Sequence, residues 1–325
     1  MRNYVIRRLL LVIPTIFLVS LITFFMVRLI PGDYIDTMAL TDPTNPLDRP
    51  MLERMLGLDA PAMVQYGRWL GVVPQMDGNF SGVLEGNFGK SWYRGVPVVE
   101  ILGTAWPVTL ELGLIALIVG QLIALPIGIY SALRQDTWGD YIGRTFAILC
   151  ISVPAFWAAT MVIVVPAIWW GYMPSVMLIP FTEDPLGNLK MFIVPGIILG
   201  AEMAGGTMRY TRTMMLEVLR QDYIRTAWAK GLRERVVTLR HALKNALIPV
   251  VTVIGFQLGI IIGGTVIIEQ IFALPGVGRI TFAAMTVQDE PIIMATVFLF
   301  GVVSMLLILL VDLTYAFLDP RVHFK

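Results

Sequence analysis

Charge is what this sequence has least of. Only 14% of its 325 residues are Asp, Glu, Lys or Arg, against roughly 25% in a soluble globular chain. With 57% of the residues hydrophobic, that deficit excludes an ordinary water-soluble domain and puts the chain in the membrane class. Cysteine is scarcer still. Cys150 stands alone in an apolar run, which leaves neither a disulfide framework nor a thiolate metal site. His241 and His323 are the two histidines, so metal-based and histidine-based catalysis are poorly provisioned. A net charge of +1 supplies no global basic field for nucleic acid, and no nucleic-acid partner is expected. Enzyme signatures are missing too. The sequence contains no G-x-x-x-x-G-K-[ST] phosphate loop, no H-E-x-x-H and no G-x-S-x-G, so the chain is expected to bind no cofactor of its own. "PGVGR", Pro275 to Arg279, has two glycines at dinucleotide spacing but no third, and reads as a turn.

What is abundant is long apolar sequence. Six stretches, near 9–30, 105–133, 142–170, 190–208, 246–268 and 292–317, reach the length of about 20 residues that a helix needs to cross a bilayer. The first follows Arg2, Arg7 and Arg8. It outlasts a signal-peptide core of about 7–15 residues and lacks a small-residue cleavage site, so it counts as a span. The fold class expected is an all-α integral membrane protein with six transmembrane helices. Lys and Arg gather on cytoplasmic flanks. With the N-terminus inside, sixteen fall on the cytoplasmic side and seven outside, Arg28 uncounted. Both termini are therefore expected in the cytoplasm. Residues from Pro31 to about Gly103 carry nine acidic side chains against five basic ones and read as an extracytoplasmic insertion after helix 1. Two regions follow: 1–103, the first helix plus the external segment of about 31–103, and 104–317, a transmembrane domain holding a loop of about 209–245.

Ionisable side chains inside spans are costly and often functional. Glu111, Glu202 and Asp312 qualify, with Glu269 at a boundary. Glu202 lies among small residues in "LGAEMAGG" and is the leading candidate to line a polar cavity. Gln257 and Glu111 are further candidates for a solute pathway, although Glu111 reads equally well as a structural or snorkelling group. Gly255, Gly259 and Gly263 recur every four residues, a spacing that lets another helix approach closely. Their use is either packing within the chain or a face at a subunit seam or along a moving pathway.

The loop "QDYIRTAWAKGLRERVVTLRHALKNALIPVV" is the anomaly. Between Arg209 and Lys244, nine Lys/Arg stand against three acidic residues. A basic cytoplasmic loop needs no more than that. Yet Tyr223, Ala227 and Gly231 fall at i, i+4 and i+8, the spacing of one helix face. Small residues on that face are expected to leave backbone bare for docking in a groove of another protein. On this reading only bulk at Gly231 matters, and alanine there is mild.

The stretch "RYTRTMMLEVLRQDYIRTAWAKGLRERVVTLRHALKNALIPVVT" resembles the signature of binding-protein-dependent ABC importer permeases, and more narrowly of the oligopeptide/dipeptide permease family. Arg225, Thr226, Ala227 and Gly231 occupy the positions of the general motif E-A-A-x-x-x-G. Arg replaces Glu and Thr the first Ala, a form associated with the peptide branch, and Pro249 follows Gly231 by 18 residues. "YVIRRLLLVIPTIFLVSLITFFMVRLIPGD", "LGLDAPAMVQYGRWLG" with "GNFGKSW", and "IIEQIFALPGVGR" are similar to the first-subunit type of that family.

The resemblance implies a type I importer permease in a bacterial or archaeal cytoplasmic membrane, with no catalysis in this chain. It implies a second homologous permease, two ABC ATPase subunits that hold the ATP and magnesium, an extracytoplasmic solute-binding protein, and surrounding lipid. Tyr223, Arg225, Thr226, Ala227, Trp228 and Gly231 would form the helix that couples to an ATPase. The implied cargo is a peptide or similar small solute, with nickel, glutathione or an oligosaccharide as alternatives in the same family. A membrane-embedded enzyme lacks the necessary clusters here, and an ion-coupled carrier would work without ATPase partners.

Overall fold

The structure is a computed structural model of the chain and describes residues 2–41, 48–172 and 177–318. Among them the elements are helices, with one isolated bridge between Lys90 and Pro97. In chain order they are α1 (Arg2–Val27), α2 (Tyr34–Thr41), α3 (Arg49–Leu56), α4 (Ala62–Leu70), α5 (Val98–Leu133), α6 (Trp138–Ser152) and α7 (Ala155–Trp170). There follow α8 (Pro185–Leu219), α9 (Asp222–Ala229), α10 (Glu234–Val236), α11 (Lys244–Ile271), α12 (Val277–Thr286) and α13 (Glu290–Leu318). Among the described residues five helices are long and apolar enough to span a membrane, and six spans result if the bent pair α6–α7 counts as one.

That bend corrects the expectation of a continuous third helix over 142–170. α6 and α7 meet at 87°. The apolar run does not stop at the break, but Pro154 removes a backbone donor and drives the preceding residue out of helical geometry. Val153 accordingly sits at φ −87°, ψ 115° and Pro154 at φ −62°, ψ 133°. The basic loop is also shorter than expected. α8 continues through Arg209 and Arg212 to Leu219, and α11 begins at Lys244.

The chain divides into two compact units, one built mainly from Thr109–Leu274 and the other from Ile6–Val108 with Pro275–Val303. In the first, α5 and α8 touch backbone to backbone. A Cβ placed on Gly200 would lie 2.6 Å from the Ala116 carbonyl oxygen, and one on Gly120 would lie 2.9 Å from that of Gly200. A Cβ on Gly128 would lie 2.8 Å from the Met208 carbonyl oxygen, and one on Gly205 of α8 would lie 2.7 Å from the Ala147 carbonyl oxygen of α6. Ala116, Gly120, Ala124 and Gly128 follow at four-residue spacing, and both alanines are fully buried. Lipid tails are as apolar as leucine, so close packing of this kind drives association where burial from water cannot.

The second unit gathers Phe24, Tyr66, Val98, Leu102 and Ile292 in one core. Ser20 of α1 hydrogen-bonds to the Tyr66 hydroxyl of α4 at 2.8 Å. Asp289, buried at the turn before α13, accepts from Ser91 Oγ and from the backbone N–H groups of Trp92 and Tyr93. Arg49 bridges Asp33, Asp36 and Glu53. Its hydrogen bond to Asp36 holds that exposed carboxyl below its ordinary range.

Of the three glycines singled out by spacing, Gly255 alone is closed in by its own chain: a Cβ there would lie 2.3 Å from the Val311 side chain. A Cβ on Gly259 or Gly263 would meet nothing within 4 Å. Gly200→Ala is therefore expected to lower the thermal stability of the chain by about 1–3 kcal/mol through overpacking. Gly259→Ala should be neutral or gain up to about 1 kcal/mol of helix propensity. Unfolding curves of the two variants in one detergent check the sign of each.

Candidate functional site

The exposed helix of the basic loop is seated by its own chain. α9 buries Ile224 and Ala227 in a cluster with Ala132 of α5, Met215 of α8, Val237, Ala242 and Ala246. Asn245 at the start of α11 donates to the Tyr223 hydroxyl at 2.9 Å. Within the helix, Thr226 Oγ1 donates to the Asp222 carbonyl at 3.0 Å, and Arg225 pairs with Asp222 at 3.4 Å. Between α10 and α11 the backbone takes a π-helical turn over Val237–Leu243, a geometry frequent at functional sites.

Two expectations about this helix are corrected. Ala227 is small because it faces inward, 7% exposed, and leaves no bare docking face. Gly231 lies beyond α9 at φ +74°. The Gly231 and Leu232 N–H groups bond back to the carbonyls of Trp228 and Ala227 at 2.9 and 3.4 Å, the left-handed ending that favours glycine after a helix. Nothing stands within 4 Å of where its Cβ would be, so the requirement is backbone conformation and not room. The outward face consists of Tyr223, Arg225, Thr226 and Trp228, of which Tyr223 and Trp228 are 42% and 46% exposed.

An ion pair that periodicity did not reveal joins α6 to α8. Asp140, fully buried in the first turn of α6, accepts from Arg212 Nε at 2.8 Å and from Nη2 at 2.7 Å. The Asp136 N–H adds a third bond at 3.0 Å, and Arg144 approaches to 3.8 Å. Removing one partner of such a pair typically costs about 3–5 kcal/mol, because the other charge is left buried. Arg212 counted as one more loop cation in the sequence. On α8 it fastens the start of α6.

Glu202 and Gln257 meet at one recess of about 610 Å³, lined mostly by apolar side chains including Ile151, Phe156 and Leu199. Pro154 and Ala155 line it as well, so the broken span shapes its wall. Gln257 is fixed at both ends of its amide. Its Nε2 donates to the Met203 carbonyl at 3.2 Å and to Thr207 Oγ1 at 3.0 Å, while its Oε1 accepts from Gln121 at 3.0 Å. Glu202 is exposed toward the recess. Glu111 is not in its lining and meets Asn188 instead. Glu269 is fully buried and accepts from Thr109 at 2.7 Å. The side chain of Asp312 lies outside the described residues.

A helical multi-pass membrane protein with one exposed helix clamped in a basic loop defines the class. The particular family follows from comparison with known proteins. Residues 124–324 match the family of the binding-protein-dependent transport system inner membrane component, and residues 1–113 match the N-terminal component of that system. The chain belongs to that family of transport permease subunits. It is 36% identical over 324 residues to a putative peptide transport system permease protein of Brucella suis biovar 1 (strain 1330), with 100% of each chain covered. It is 35% identical over 325 residues to the glutathione transport system permease protein GsiC of Salmonella typhimurium (strain LT2), again with 100% of each covered.

Gly231→Ala forces a side chain into the left-handed region, at a cost of about 1–2 kcal/mol, and is expected to loosen the end of α9. Hydrogen exchange across 222–236 should speed up by roughly five- to thirty-fold, the range that one to two kcal/mol represents. Gly231→Asn, which tolerates this conformation better, should be milder.

Proposed function

We propose that this chain is one permease subunit of an ATP-driven importer that moves peptides, or a small solute of peptide-like chemistry, into the cell. The observation that carries the reading is α9, a short helix whose inner face is clamped to the ends of α5, α8 and α11 while Tyr223, Arg225, Thr226 and Trp228 face outward. A push on such a helix is delivered to three spans at once. The partners are a second, related permease, two ATPase subunits on the cytoplasmic side and an extracytoplasmic binding protein. Both termini lie in the cytoplasm and the segment 31–103 outside, in keeping with the placement of Lys and Arg.

The chemistry of this chain is positional. ATP and magnesium belong to the partner subunits and supply the free energy. The outward face of α9 seats in an ATPase groove, and closure of the ATPases moves α9 with the helices it touches. Only a difference in contacts between the two states shifts such an equilibrium. Glu202 and Gln257 face the solute path from α8 and α11, and the Glu202 carboxylate in a mainly apolar recess suits a cargo bearing an ammonium group. Names of full-length relatives at 35–36% identity, one for peptide and one for glutathione, support a peptide-like cargo.

Reconstitution into vesicles tests the reading. Uptake of a radiolabelled dipeptide should require ATP, the ATPases, the second permease and the binding protein together, and this chain alone should give none. Glu202→Leu should lower uptake severalfold while the complex still assembles. Uptake by this chain without ATPases would contradict the proposal and favour an ion-coupled carrier.

A further inference from the structure

The recess beside the broken span leaves one charged group without a counterpart. Gln257 is engaged at both ends: Nε2 donates to the Met203 carbonyl and to Thr207 Oγ1, and Oε1 accepts from Gln121. The Glu202 carboxylate makes no ion pair and no hydrogen bond among the described residues, and its side chain is exposed toward the recess. Glu202 stands at the middle of α8, which runs from Pro185 to Leu219. An acid so deep in a membrane span is costly, and such groups are found paired or facing a water-filled cavity.

The wall supplies no partner charge. No Lys, Arg or His lines the recess, and its side chains present one anion among Ile151, Phe156, Leu199, Ile267 and Ile268. A bare hard metal ion takes about six oxygen ligands or more. Among the described residues no three Asp, Glu, His or Cys side chains stand together to hold one. An ammonium on an apolar body makes a smaller demand. Its N–H groups donate to a single carboxylate in a strong, charge-assisted bond, and its body covers the apolar wall. The volume of about 610 Å³ falls in the range of about 300–1,000 Å³ typical of small-molecule sites.

We infer that the recess recognises the amino end of its cargo. The α-ammonium of a peptide binds Glu202, and an apolar first side chain lies against Ile151, Phe156 and Leu199. This rests on the proposed role as an importer permease and narrows it. A peptide keeps its terminal carboxylate at the far end, away from Glu202. Glutathione carries a carboxylate on the same carbon as its ammonium, and so brings like charge up to Glu202. A blocked amino end removes the cation altogether. The cargo class is therefore a peptide with a free amino end and an apolar first residue, and glutathione is disfavoured.

The full chain with its co-purified subunits, in nanodiscs and without binding protein or ATP, is titrated with three radiolabelled probes. Leucyl-leucinamide is a cation, N-acetyl-leucyl-leucinamide is its neutral counterpart, and glutathione is the third. Expected is saturable binding of the cation, tighter than either of the others by about tenfold or more, the size of a hydrogen bond to a charged group. Glu202→Gln keeps the shape and removes the charge. It should weaken the cation by about tenfold and leave the neutral probe nearly unchanged. Phe156→Ala should weaken the cation and the neutral probe alike. ATP-dependent uptake of a dipeptide is measured in parallel with all partners present. Failure of that uptake, with Glu202-dependent binding intact, contradicts the importer role and leaves the recess an amine site. Absence of saturable binding, equal binding of cation and neutral probe, tighter binding of glutathione, or normal binding in Glu202→Gln would overturn the inference even where uptake is ATP-driven.

Discussion

Two helix backbones in lipid can approach each other only where side chains get out of the way, and the contact of α5 with α8 rests on that constraint. The bilayer core offers no water to squeeze out, so two apolar helices gain little from mere contact. They gain from density. Glycine at 120, 128 and 200 lets the two helices meet with carbonyl oxygens where side chains would otherwise stand, and Gly196 makes room for the Ile115 side chain. Gly205 extends the same closeness to α6. The helices that carry Glu202, the Gln121–Gln257–Thr207 chain of hydrogen bonds and the cluster beneath α9 are positioned by that seam. A methyl group on Gly200 therefore threatens features many turns away.

The seam also explains how a short helix can be rigid. Eight residues make a marginal helix on their own in water, since isolated helices need about 12–15 residues. α9 gains its order from Ile224 and Ala227 in the cluster with α5, α8 and the start of α11, from the Asn245–Tyr223 bond, and from the left-handed ending at Gly231. The Asp140–Arg212 pair closes the same end of α6 onto α8. A helix held on one face and open on the other transmits displacement instead of absorbing it.

Much of this was legible in the sequence, and the parts that were not have physical reasons. Composition and run length revealed the spans, because a bilayer imposes a length and an apolarity on any helix that crosses it. The break at Pro154 was harder. Pro14, Pro195 and Pro249 lie inside intact helices, so proline alone does not mark a break within apolar sequence. The spacing of Gly255, Gly259 and Gly263 drew attention, yet the seam where backbone meets backbone is at Ala116–Gly128. Helices that are apolar all round carry no sign of which stripe faces protein. Gly231 was read as part of a face, although a glycine just past a helix with Lys beside it is a stop signal. Asp140 and Arg212 are 72 residues apart, and no local pattern announces such a pair.

The claim on which the functional reading turns is that the outward face of α9 meets an ATPase. Trp228, nearly half exposed at the end of that helix, is the place to ask. A photo-activatable phenylalanine analogue substituted for Trp228, in intact membranes that contain the whole transporter, reports what lies against it. The expected result is a light-dependent cross-link to an ATPase subunit that is lost when a like probe replaces the inward-facing Ile224. Cross-links from Trp228 to lipid alone, with the ATPases present and bound, would contradict it.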